Sequence, residues 1–289
     1  MNKLALGTAQ FGMKYGITNQ VGQVTFEDVK EILQFSKSVN INLIDTAISY
    51  RDSEKVIGNA GIKSFQFVSK LPALPKGCVN ISSWIKDEIK LSLKKLDIQS
   101  FYGMLIHQPK DLIGDSGKEI IEVLNNLKSK GIVKKIGISI YEPSELEQLT
   151  GLMKLDIVQA PISIIDQRLL NSGWLSKLYK NDIEVHARSV FLQGLLLMSK
   201  KKRSSKFSQW NNLWKIWHDW LNDNKITALE ATVRYALSIK EISRVIVGVD
   251  SKEQLQQIIL ASEGKLPPTP SGLFTEETNL LNPSNWNKI

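Results

Sequence analysis

The sequence predicts one domain of the α/β class, a (β/α)8 TIM barrel in which helices enclose eight parallel strands. Eight short apolar runs alternate with amphipathic segments, which is the pattern of parallel strands covered on both faces. The 289 residues suffice for one such barrel, and no Gly-x-Gly-x-x-Gly motif follows the first run to indicate an open dinucleotide-binding sheet. We expect a single domain over residues 1–289 with an irregular tail from about residue 263. The expected strands are Leu4–Gly7, Asn42–Asp45, Phe65–Lys70, Phe101–His107, Lys134–Ser139, Asp156–Gln159, Ile183–Arg188 and Arg244–Gly248.

The helices between these strands have recognisable ends. Thr25 and Asn80 are typical N-cap residues ahead of amphipathic stretches. Ser116-Gly-Lys-Glu119 and Ser251-Lys-Glu-Gln254 fit the capping box, and Gly131 suits the position just after a helix. These signals favour regular strand–helix alternation along the chain.

Composition narrows the class of protein. Hydrophobic residues make up 42% and charged residues 23%, as in ordinary globular proteins, which excludes a disordered chain. No apolar run suits a membrane span, the first residues are too short an apolar stretch for a secretory signal, and the single cysteine, Cys78, excludes an internal disulfide. We therefore expect a soluble cytoplasmic protein without membrane contact, and the sequence indicates no oligomeric state.

The net charge is positive but locally concentrated. Lys and Arg number 37 against 29 Asp and Glu, a formal charge of +8, and five of these cations lie at positions 200–203 and 206. Elsewhere cations alternate with acids along the expected helices. We therefore expect no nucleic-acid binding.

Four chemically complementary side chains follow three neighbouring strands. In a barrel of this type, reactive residues lie at the carboxyl ends of the strands and in the loops that follow. Asp45 ends the second strand, Tyr50 lies in the next loop, and Lys70 and His107 end the third and fourth strands. Each residue type alone is commonly a helix cap, a packing residue or a solvated side chain, but together they indicate a reactive site.

These groups suit the reversible reduction of a carbonyl. A phenol can donate the proton that the carbonyl oxygen takes up as hydride reaches the carbon, but free tyrosine titrates near pH 10. A lysine ammonium about 4 Å away would favour the phenolate by up to roughly three pH units. Asp45 would keep Lys70 charged, and His107 would donate a hydrogen bond to the substrate oxygen.

Several motifs, in their order along the chain, resemble those of the aldo/keto reductases. The similarity extends from residue 3 to about residue 262, and the Asp, Tyr, Lys and His residues fall in register. The matching segments are Leu-Gly-Thr-Ala (6–9), Leu-Ile-Asp-Thr-Ala-Ile-Ser-Tyr (43–50), Val-Ser-Lys (68–70), Leu-Ile-His (105–107), Lys-Ile-Gly-Ile-Ser (135–139), Val-Gln (158–159), Gln-Gly-Leu-Leu (193–196), Ala-Leu-Glu-Ala-Thr-Val-Arg-Tyr-Ala-Leu (228–237) and Val-Ile-Val-Gly (245–248).

The resemblance implies an oxidoreductase that reduces a small aldehyde or ketone with NADPH or NADH. Tyr50 matches the family's proton donor. Asp45 and Lys70 match the pair that lowers the pKa of that donor, and His107 matches the residue that orients the substrate. The sequence does not identify the physiological carbonyl.

The resemblance also assigns a cofactor site. Ser139 and Gln159 match residues that hydrogen-bond the nicotinamide carboxamide. His186 and His218 have no paired ligands at metal spacing, so we expect no metal. The full set of expected cofactor-binding residues is Gly7, Thr8, Ser139, Gln159, Arg188, Ser189, Gly194, Gly248, Ser251 and Gln254.

Three departures from the family pattern affect this cofactor site. Many relatives have Asn after Ser139 and Tyr-Asn after Gln159, where this chain has Ile140 and Ala160-Pro161. Many also carry an aromatic residue at the end of the seventh strand that stacks on the nicotinamide, where this chain has Arg188. The guanidinium either stacks on that ring, binds an anionic group or forms an outward salt bridge.

The segment after the eighth strand leaves the choice of coenzyme open. Gly248-Val249-Asp250-Ser251 leads into a helix whose N-terminus suits a phosphate. Relatives that select the 2′-phosphate of NADPH often have Lys or Arg there, whereas this chain has Asp250 and Gln254, with only Lys252 positive. Asp250 would repel that phosphate but could bond a free ribose hydroxyl, which makes NADH an alternative to NADPH.

Two further segments have alternative interpretations. The basic segment Lys200–Arg203 is either a cover over the cofactor pyrophosphate or a solvated loop. Trp210, Trp214, Trp217 and Trp220 have helical spacing, which is typical of packing against the barrel, although such rings also stack on substrates.

Two other functions are alternatives to a reductase. A cofactor-sensing or regulatory protein would keep the barrel but turn over poorly, yet a sensor has no need of the four reactive residues. A non-redox aldolase would use Lys70 as a Schiff-base amine. The neighbouring Asp45 disfavours that role because it keeps the lysine protonated.

Overall fold

A computed structural model describes residues 3–61 and 64–289 and contains the closed barrel that the sequence predicts. The eight strands pair in chain order, all parallel, and the first pairs with the eighth. Each strand begins and ends within two residues of its expected bounds. The strands are β1 (Leu4–Gly7), β2 (Leu43–Asp45), β3 (Gln66–Leu71), β4 (Phe101–Ile106), β5 (Val133–Ser139), β6 (Ile157–Pro161), β7 (Glu184–Arg188) and β8 (Ile242–Gly248).

Helices connect the strands and cover the outside of the barrel. No helix in the described residues is both long and apolar enough to cross a membrane. The helices are α1 (Ala9–Gly12), α2 (Phe26–Ser38), α3 (Ser53–Asn59), α4 (Ile81–Leu96), α5 (Asp115–Ser129), α6 (Glu145–Leu149), α7 (Arg168–Asn171), α8 (Trp174–Lys180), α9 (Asn211–Asp223), α10 (Ala228–Ser238), α11 (Lys252–Ala261) and α12 (Thr278–Leu281).

Most helix ends agree with the sequence signals. The side chains of Thr25 and Asn80 each accept the backbone N–H three residues later, and Gly131 has a φ of 73° just after α5. Ser251 caps α11, but the Gln254 side chain accepts the N–H of residue 250 rather than that of Ser251. The reciprocal half of that expected capping box is therefore displaced by one residue.

The capping box expected at Ser116–Glu119 is wrong. Helix α5 begins at Asp115, two residues before the first helical position that the box implies, and it follows Gly114, whose φ is 89°. The Glu119 carboxylate accepts the backbone N–H of Ser82 in the first turn of α4, at 2.9 Å. A contact between two helices has thus replaced the local hydrogen bond that the motif suggests.

Apolar side chains fill two separate layers. A large cluster lies between the strands and the outer helices, and a small one lies inside the barrel. Side chains two residues apart in a strand point to the same face, so the residue two positions after each inner residue points into the barrel mouth. The inner cluster consists of Ala5, Leu43, Val68, Leu105, Ile157 and Ile246.

The tryptophan stripe packs α9 against the rest of the molecule. All four rings are buried, and the rings of Trp217 and Trp220 stack at 5.8 Å. Each indole N–H donates a hydrogen bond within the protein, to Glu277, Phe207, Leu196 and Pro268 in chain order. Packing, rather than stacking on a substrate, therefore accounts for the stripe.

We expect Trp217→Ala to lower the free energy of unfolding by about 3–5 kcal/mol, because the ring is completely buried and its removal leaves a cavity. Urea denaturation followed by circular dichroism measures this. Leu91→Ala, a truncation on the exposed face of α4, is the control and should change the free energy by less than about 0.5 kcal/mol. Similar losses for the two variants would contradict the packing role of the stripe.

Candidate active site

The barrel mouth carries the residues that lie two positions after the inner apolar layer. They are Gly7, Asp45, Lys70, His107, Gln159 and Gly248. Strand alternation therefore gathers an acid, an amine, an imidazole and an amide at one end of the barrel. Tyr50, from the loop after β2, joins them: the Lys70 Nζ lies 5.3 Å from the centre of its ring, and the ring of His107 lies 6.1 Å away.

Asp45 and Lys70 form a buried ion pair. The Lys70 Nζ lies 2.7 Å from the Asp45 Oδ2 and also donates to the carbonyl oxygen of Thr46 at 2.9 Å. The Gln159 Nε2 donates to the other carboxylate oxygen of Asp45 at 2.7 Å. Burial lowers the pKa of Lys70, against the opposing effect of the Asp45 carboxylate. Both carboxylate oxygens are thus engaged, and the lysine is fixed.

The Tyr50 phenol has a higher pKa than the sequence suggests. Burial raises the pKa of Tyr50 above its usual value, and the Asp45 carboxylate adds to the rise. The expectation that the Asp45–Lys70 pair brings this pKa below its usual value is wrong, because burial outweighs the effect of the nearby positive charges. The physical reason is that Asp45 compensates the ammonium charge at 2.7 Å, while burial removes the water that would solvate a phenolate. Tyr50 therefore carries its proton at neutral pH.

His107 is neutral at pH 7. Burial lowers the pKa of His107 to about 4, and the positive charges of Lys70 and Arg188 act in the same direction. The Ser49 hydroxyl lies 3.2 Å from the Nδ1 atom of the ring. When Ser49 donates to Nδ1, the ring proton is on Nε2, where it is available to a ligand oxygen.

A cleft opens beside this cluster. Asp45, Tyr50 and Gln159 line it together with the segments that follow β1, β7 and β8. Ser139 is buried next to Gln159 in the β5–β6 pairing and Ser251 caps α11, so neither lines the cleft. The expected cofactor-binding residues that do line it are Gly7, Thr8, Gln159, Arg188, Ser189, Gly194, Gly248 and Gln254.

The segment 13–24 lines part of the cleft, a position that no motif in the sequence predicts. The backbone N–H of Ile17 donates to the carbonyl oxygen of Gln193 after β7, and the Asn19 side chain donates to Asp250 after β8 at 3.1 Å. Tyr15 and Thr18 from this segment line the cleft. Gly16 and Gly22 indicate a loop here, but no motif indicates where such a loop packs.

The backbone after β7 adopts unusual conformations beside the cleft. Ser189 and Gln193 have φ values of 62° and 53°, in the left-handed region that residues with a Cβ rarely adopt. Gly194 has a φ of 91°, and a Cβ there would lie 2.3 Å from the Thr18 Oγ1 atom. Only glycine permits this close approach, and strain of this kind is common at binding sites.

Arg188 points into the cleft, so the expected alternative of an outward salt bridge is wrong. Its guanidinium donates to the carbonyl oxygen of Ile140 at 2.9 Å and to the Ser189 hydroxyl at 3.1 Å, and it stacks on the Tyr141 ring at 4.4 Å. Within residues 3–61 and 64–289 it forms no ion pair.

The cleft residues fit a nicotinamide dinucleotide. The Gln159 Oε1 atom is buried and has no hydrogen-bond partner in the described part of the chain, so it suits the amide donor of a carboxamide. The helix α11 starts beside the cleft and presents its N-terminus, where phosphates commonly bind. Gly248 approaches the Gln10 side chain so closely that a Cβ would lie 2.5 Å from its amide nitrogen.

The basic segment makes contacts that its sequence did not suggest. Arg203 donates to the carbonyl oxygen of Met198 and to the His218 ring and lies 4.0 Å from the centre of the Trp214 ring, so it packs on α9 rather than over the cleft. Lys200–Lys202 are exposed, and their contact with a cofactor stays a prediction.

The histidines outside the mouth make protein contacts. His186 lies 3.1 Å from the Glu184 carboxylate inside the barrel, and His218 is bonded to Arg203 as described. Among the described residues, no group of three or more His, Cys, Asp or Glu side chains is placed to hold a metal ion.

Comparison with known proteins identifies relatives of this arrangement. A sequence model described as the Aldo/keto reductase family matches residues 3–270. The NADH-specific methylglyoxal reductase of Escherichia coli (strain K12) is 25% identical over 277 residues, which cover 83% of this chain and 84% of that protein. Two other curated oxidoreductases match over 61% and 65% of their own length, so this chain spans less than two thirds of each.

Solved structures share the same barrel. The holo form of the aldo-keto reductase AKR11C1 from Bacillus halodurans superposes with a TM-score of 0.73 at 20% identity, over 92% of this chain and 88% of that chain. An aldo/keto reductase from Klebsiella pneumoniae in complex with NADP and acetate superposes with a TM-score of 0.68 at 18% identity, again over 92% and 88%. At these identities the likeness is one of fold.

We expect His107 to stay neutral between pH 5.5 and pH 8, because its pKa lies at about 4. Nitrogen-15 NMR of the imidazole signals measures this, and the spectrum of His107→Gln assigns the His107 signals by their absence. A midpoint near 6.5, the value for a solvated histidine, would contradict the buried, cation-flanked environment.

Proposed function

Because the chain belongs to the aldo/keto reductase family, we propose that it reduces the carbonyl group of a small molecule to an alcohol with a nicotinamide cofactor. The observation that carries this proposal is the cluster of Asp45, Lys70, Tyr50 and His107 at the barrel mouth, beside a cleft that suits a dinucleotide. The family match covers most of the chain. The cluster at the barrel mouth supplies each group that proton transfer to a carbonyl oxygen requires.

Tyr50 acts as the proton donor in this proposal. A reduced nicotinamide, held by Gln159 and the other cleft residues, would supply hydride for the carbonyl carbon. The Tyr50 hydroxyl gives its proton to the carbonyl oxygen. The raised pKa of Tyr50 keeps that proton in place before the reaction. The Lys70 ammonium, 5.3 Å from the ring centre, stabilises the phenolate that forms, and Asp45 holds Lys70 in position.

His107 orients the substrate. The Nδ1 atom of its neutral ring accepts a hydrogen bond from the Ser49 hydroxyl, and the Nε2 atom donates one to the carbonyl oxygen of the substrate. The second hydrogen bond places this oxygen next to Tyr50. A neutral donor polarises the carbonyl without competing with Tyr50 as an acid. Gln159 contributes its unpaired Oε1 to the nicotinamide carboxamide, while its Nε2 holds Asp45.

NADH is the proposed coenzyme. The Asp250 carboxylate lies at the end of the cleft, where it accepts a hydrogen bond from Asn19, and Gln254 accepts the backbone N–H of Asp250. A carboxylate there repels a 2′-phosphate and accepts a hydrogen bond from a ribose hydroxyl. The NADH-specific relative in Escherichia coli supports this choice, whereas the solved Klebsiella pneumoniae structure holds NADP.

We expect Tyr50→Phe to lower kcat for aldehyde reduction by at least about 100-fold, because it removes the proton donor and leaves the ring in place. The dissociation constant for NADH, measured by tryptophan fluorescence, should change by less than about twofold, because the hydroxyl does not hold the cofactor.

The matched control is Tyr179→Phe, which removes the hydroxyl of an exposed tyrosine on α8 and should leave kcat unchanged. Turnover retained by Tyr50→Phe would eliminate Tyr50 as the acid. Tight NADH binding by the unmodified protein without reduction of any aldehyde would instead favour the cofactor-sensing alternative.

We expect the unmodified protein to bind NADH more tightly than NADPH at pH 8, and Asp250→Asn to strengthen NADPH binding about tenfold. The asparagine keeps the oxygen that Asn19 contacts and removes the charge that repels the 2′-phosphate. Fluorescence titration with each coenzyme measures both effects.

Glu253→Gln is the control for Asp250→Asn. It removes a negative charge from the first turn of α11, three residues after Asp250, but its side chain is exposed and does not line the cleft. An equal gain in NADPH affinity for both variants would mean that general charge, and not Asp250, selects the coenzyme.

A further inference from the structure

Arg188 is a cation without an anionic partner among the described residues, and it lies in the cleft beside Tyr50. It ends β7, lines the cleft together with Tyr50, and forms no ion pair with any residue that the structure describes. Only two of its five N–H donors have acceptors there, the carbonyl oxygen of Ile140 and the Ser189 hydroxyl. Three donors of a half-buried cation therefore remain available to a ligand.

The other charges at the mouth do not compensate Arg188. Lys70 and Asp45 neutralise each other, and the second oxygen of Asp45 accepts from Gln159. His107 is uncharged at neutral pH. Asp250, the other carboxylate in the cleft, accepts a hydrogen bond from Asn19 and forms no ion pair with Arg188. The positive charge of Arg188 beside the reacting groups is thus uncompensated among the described residues. Elsewhere the chain compensates a buried arginine directly: Arg168 contacts two carboxylates, each at 2.8 Å.

The guanidinium is held in a fixed orientation. One face stacks on the Tyr141 ring at 4.4 Å, and the two hydrogen bonds hold the fork against the ends of β5 and β7. A planar, fixed guanidinium matches the oxygens of a carboxylate or a phosphate, with little entropy left to lose. Its charge acts on the reacting groups: it opposes the rise in the pKa of Tyr50 and contributes to the fall in the pKa of His107.

We propose that Arg188 binds an anionic group, a carboxylate or a phosphate, on the carbonyl substrate and so selects anionic substrates. The proposal rests on the reductase function. The substrate anion supplies the missing partner of Arg188, so binding compensates the charge that the protein leaves unpaired. A neutral substrate covers the same cation without pairing it, which costs part of the binding energy.

Two pairs of aldehydes test the proposal. Glyoxylate and glycolaldehyde differ by a carboxylate, and glyceraldehyde 3-phosphate and glyceraldehyde differ by a phosphate. In Arg188→Gln, kcat/KM should fall about 10- to 100-fold for the anionic aldehyde whose charged group the site binds. For both neutral aldehydes it should fall less than about threefold. Arg188→Lys, which keeps the charge but loses the fork, should fall by an intermediate factor.

Arg203→Gln is the matched control. Arg203 is also half-buried, also stacks on an aromatic ring and also forms no ion pair within the described residues, but it lies outside the cleft. It should leave kcat/KM unchanged for all four aldehydes. Thermal melts of each variant separate a loss of folding from a loss of selectivity, and an NADH titration of each variant separates a cofactor effect from a substrate effect.

The outcomes separate the possible roles of Arg188. If Arg188→Gln loses kcat/KM only for glyoxylate, the group that Arg188 binds is a carboxylate. If it loses kcat/KM only for glyceraldehyde 3-phosphate, the group is a phosphate. An equal loss for charged and neutral aldehydes, together with weaker NADH binding, would overturn the proposal and place Arg188 on the nicotinamide. A preference of the unmodified protein for the neutral aldehydes would overturn it and leave the reductase function standing. NADH binding without reduction of any aldehyde would overturn both.

Discussion

The buried ion pair of Asp45 and Lys70 determines the chemistry of the barrel mouth. Lys70 is 1% exposed, and charges so deep in a protein are tolerated only when each one is paired and hydrogen-bonded. Here the carboxylate contacts Lys70 and Gln159, and the ammonium also contacts the carbonyl oxygen of Thr46. The strands β2, β3 and β6 are therefore tied to one another through side chains, and each of these polar groups depends on the others.

The pair also sets the state of its neighbours. Because Asp45 compensates the ammonium, burial outweighs the effect of Lys70 on Tyr50 and keeps the phenol protonated. Burial keeps His107 neutral as well. In the proposed reaction the cluster starts with its proton on Tyr50, the state that reduction requires.

The period of two along the strands made much of the fold and the reactive cluster predictable. The inner apolar residues Val68 and Leu105 place Lys70 and His107 at the mouth by alternation alone. The part of the cleft that segment 13–24 lines could not be predicted, because Ile17 and Gln193 meet through a backbone hydrogen bond between distant loops. The left-handed conformation of Gln193 is likewise encoded by no motif.

Two other differences between the sequence predictions and the structure arise from long-range contacts. Glu119 has the right spacing for a capping box, but it bonds the start of α4 instead, and only the packing of the two helices decides between these partners. The pKa of Tyr50 also depends on a long-range contact. The sequence places a lysine near the phenol, but whether that charge is free depends on the distance from Asp45 to Lys70, which is a property of the folded barrel.

The two ends of β7 differ in how they use charge. Glu184, His186 and Arg188 point to the same face, from the floor of the barrel to its mouth. At the floor, Glu184 is paired with Lys135 at 2.6 Å. Burial tends to raise the pKa of Glu184, but hydrogen bonds from His186, Lys135 and the Tyr102 hydroxyl lower it to about 2.

That floor network compensates Glu184 internally, which is what a stabilising end of a barrel requires. Arg188, four residues further along the same strand, has no carboxylate partner among the described residues. An unpaired cation lowers stability unless a ligand compensates it. The same strand thus carries a self-contained ion pair at one end and, at the other, a charge without a carboxylate partner in the described part of the chain. This difference supports the mouth, and Arg188 within it, as the place where the chain recognises its substrate.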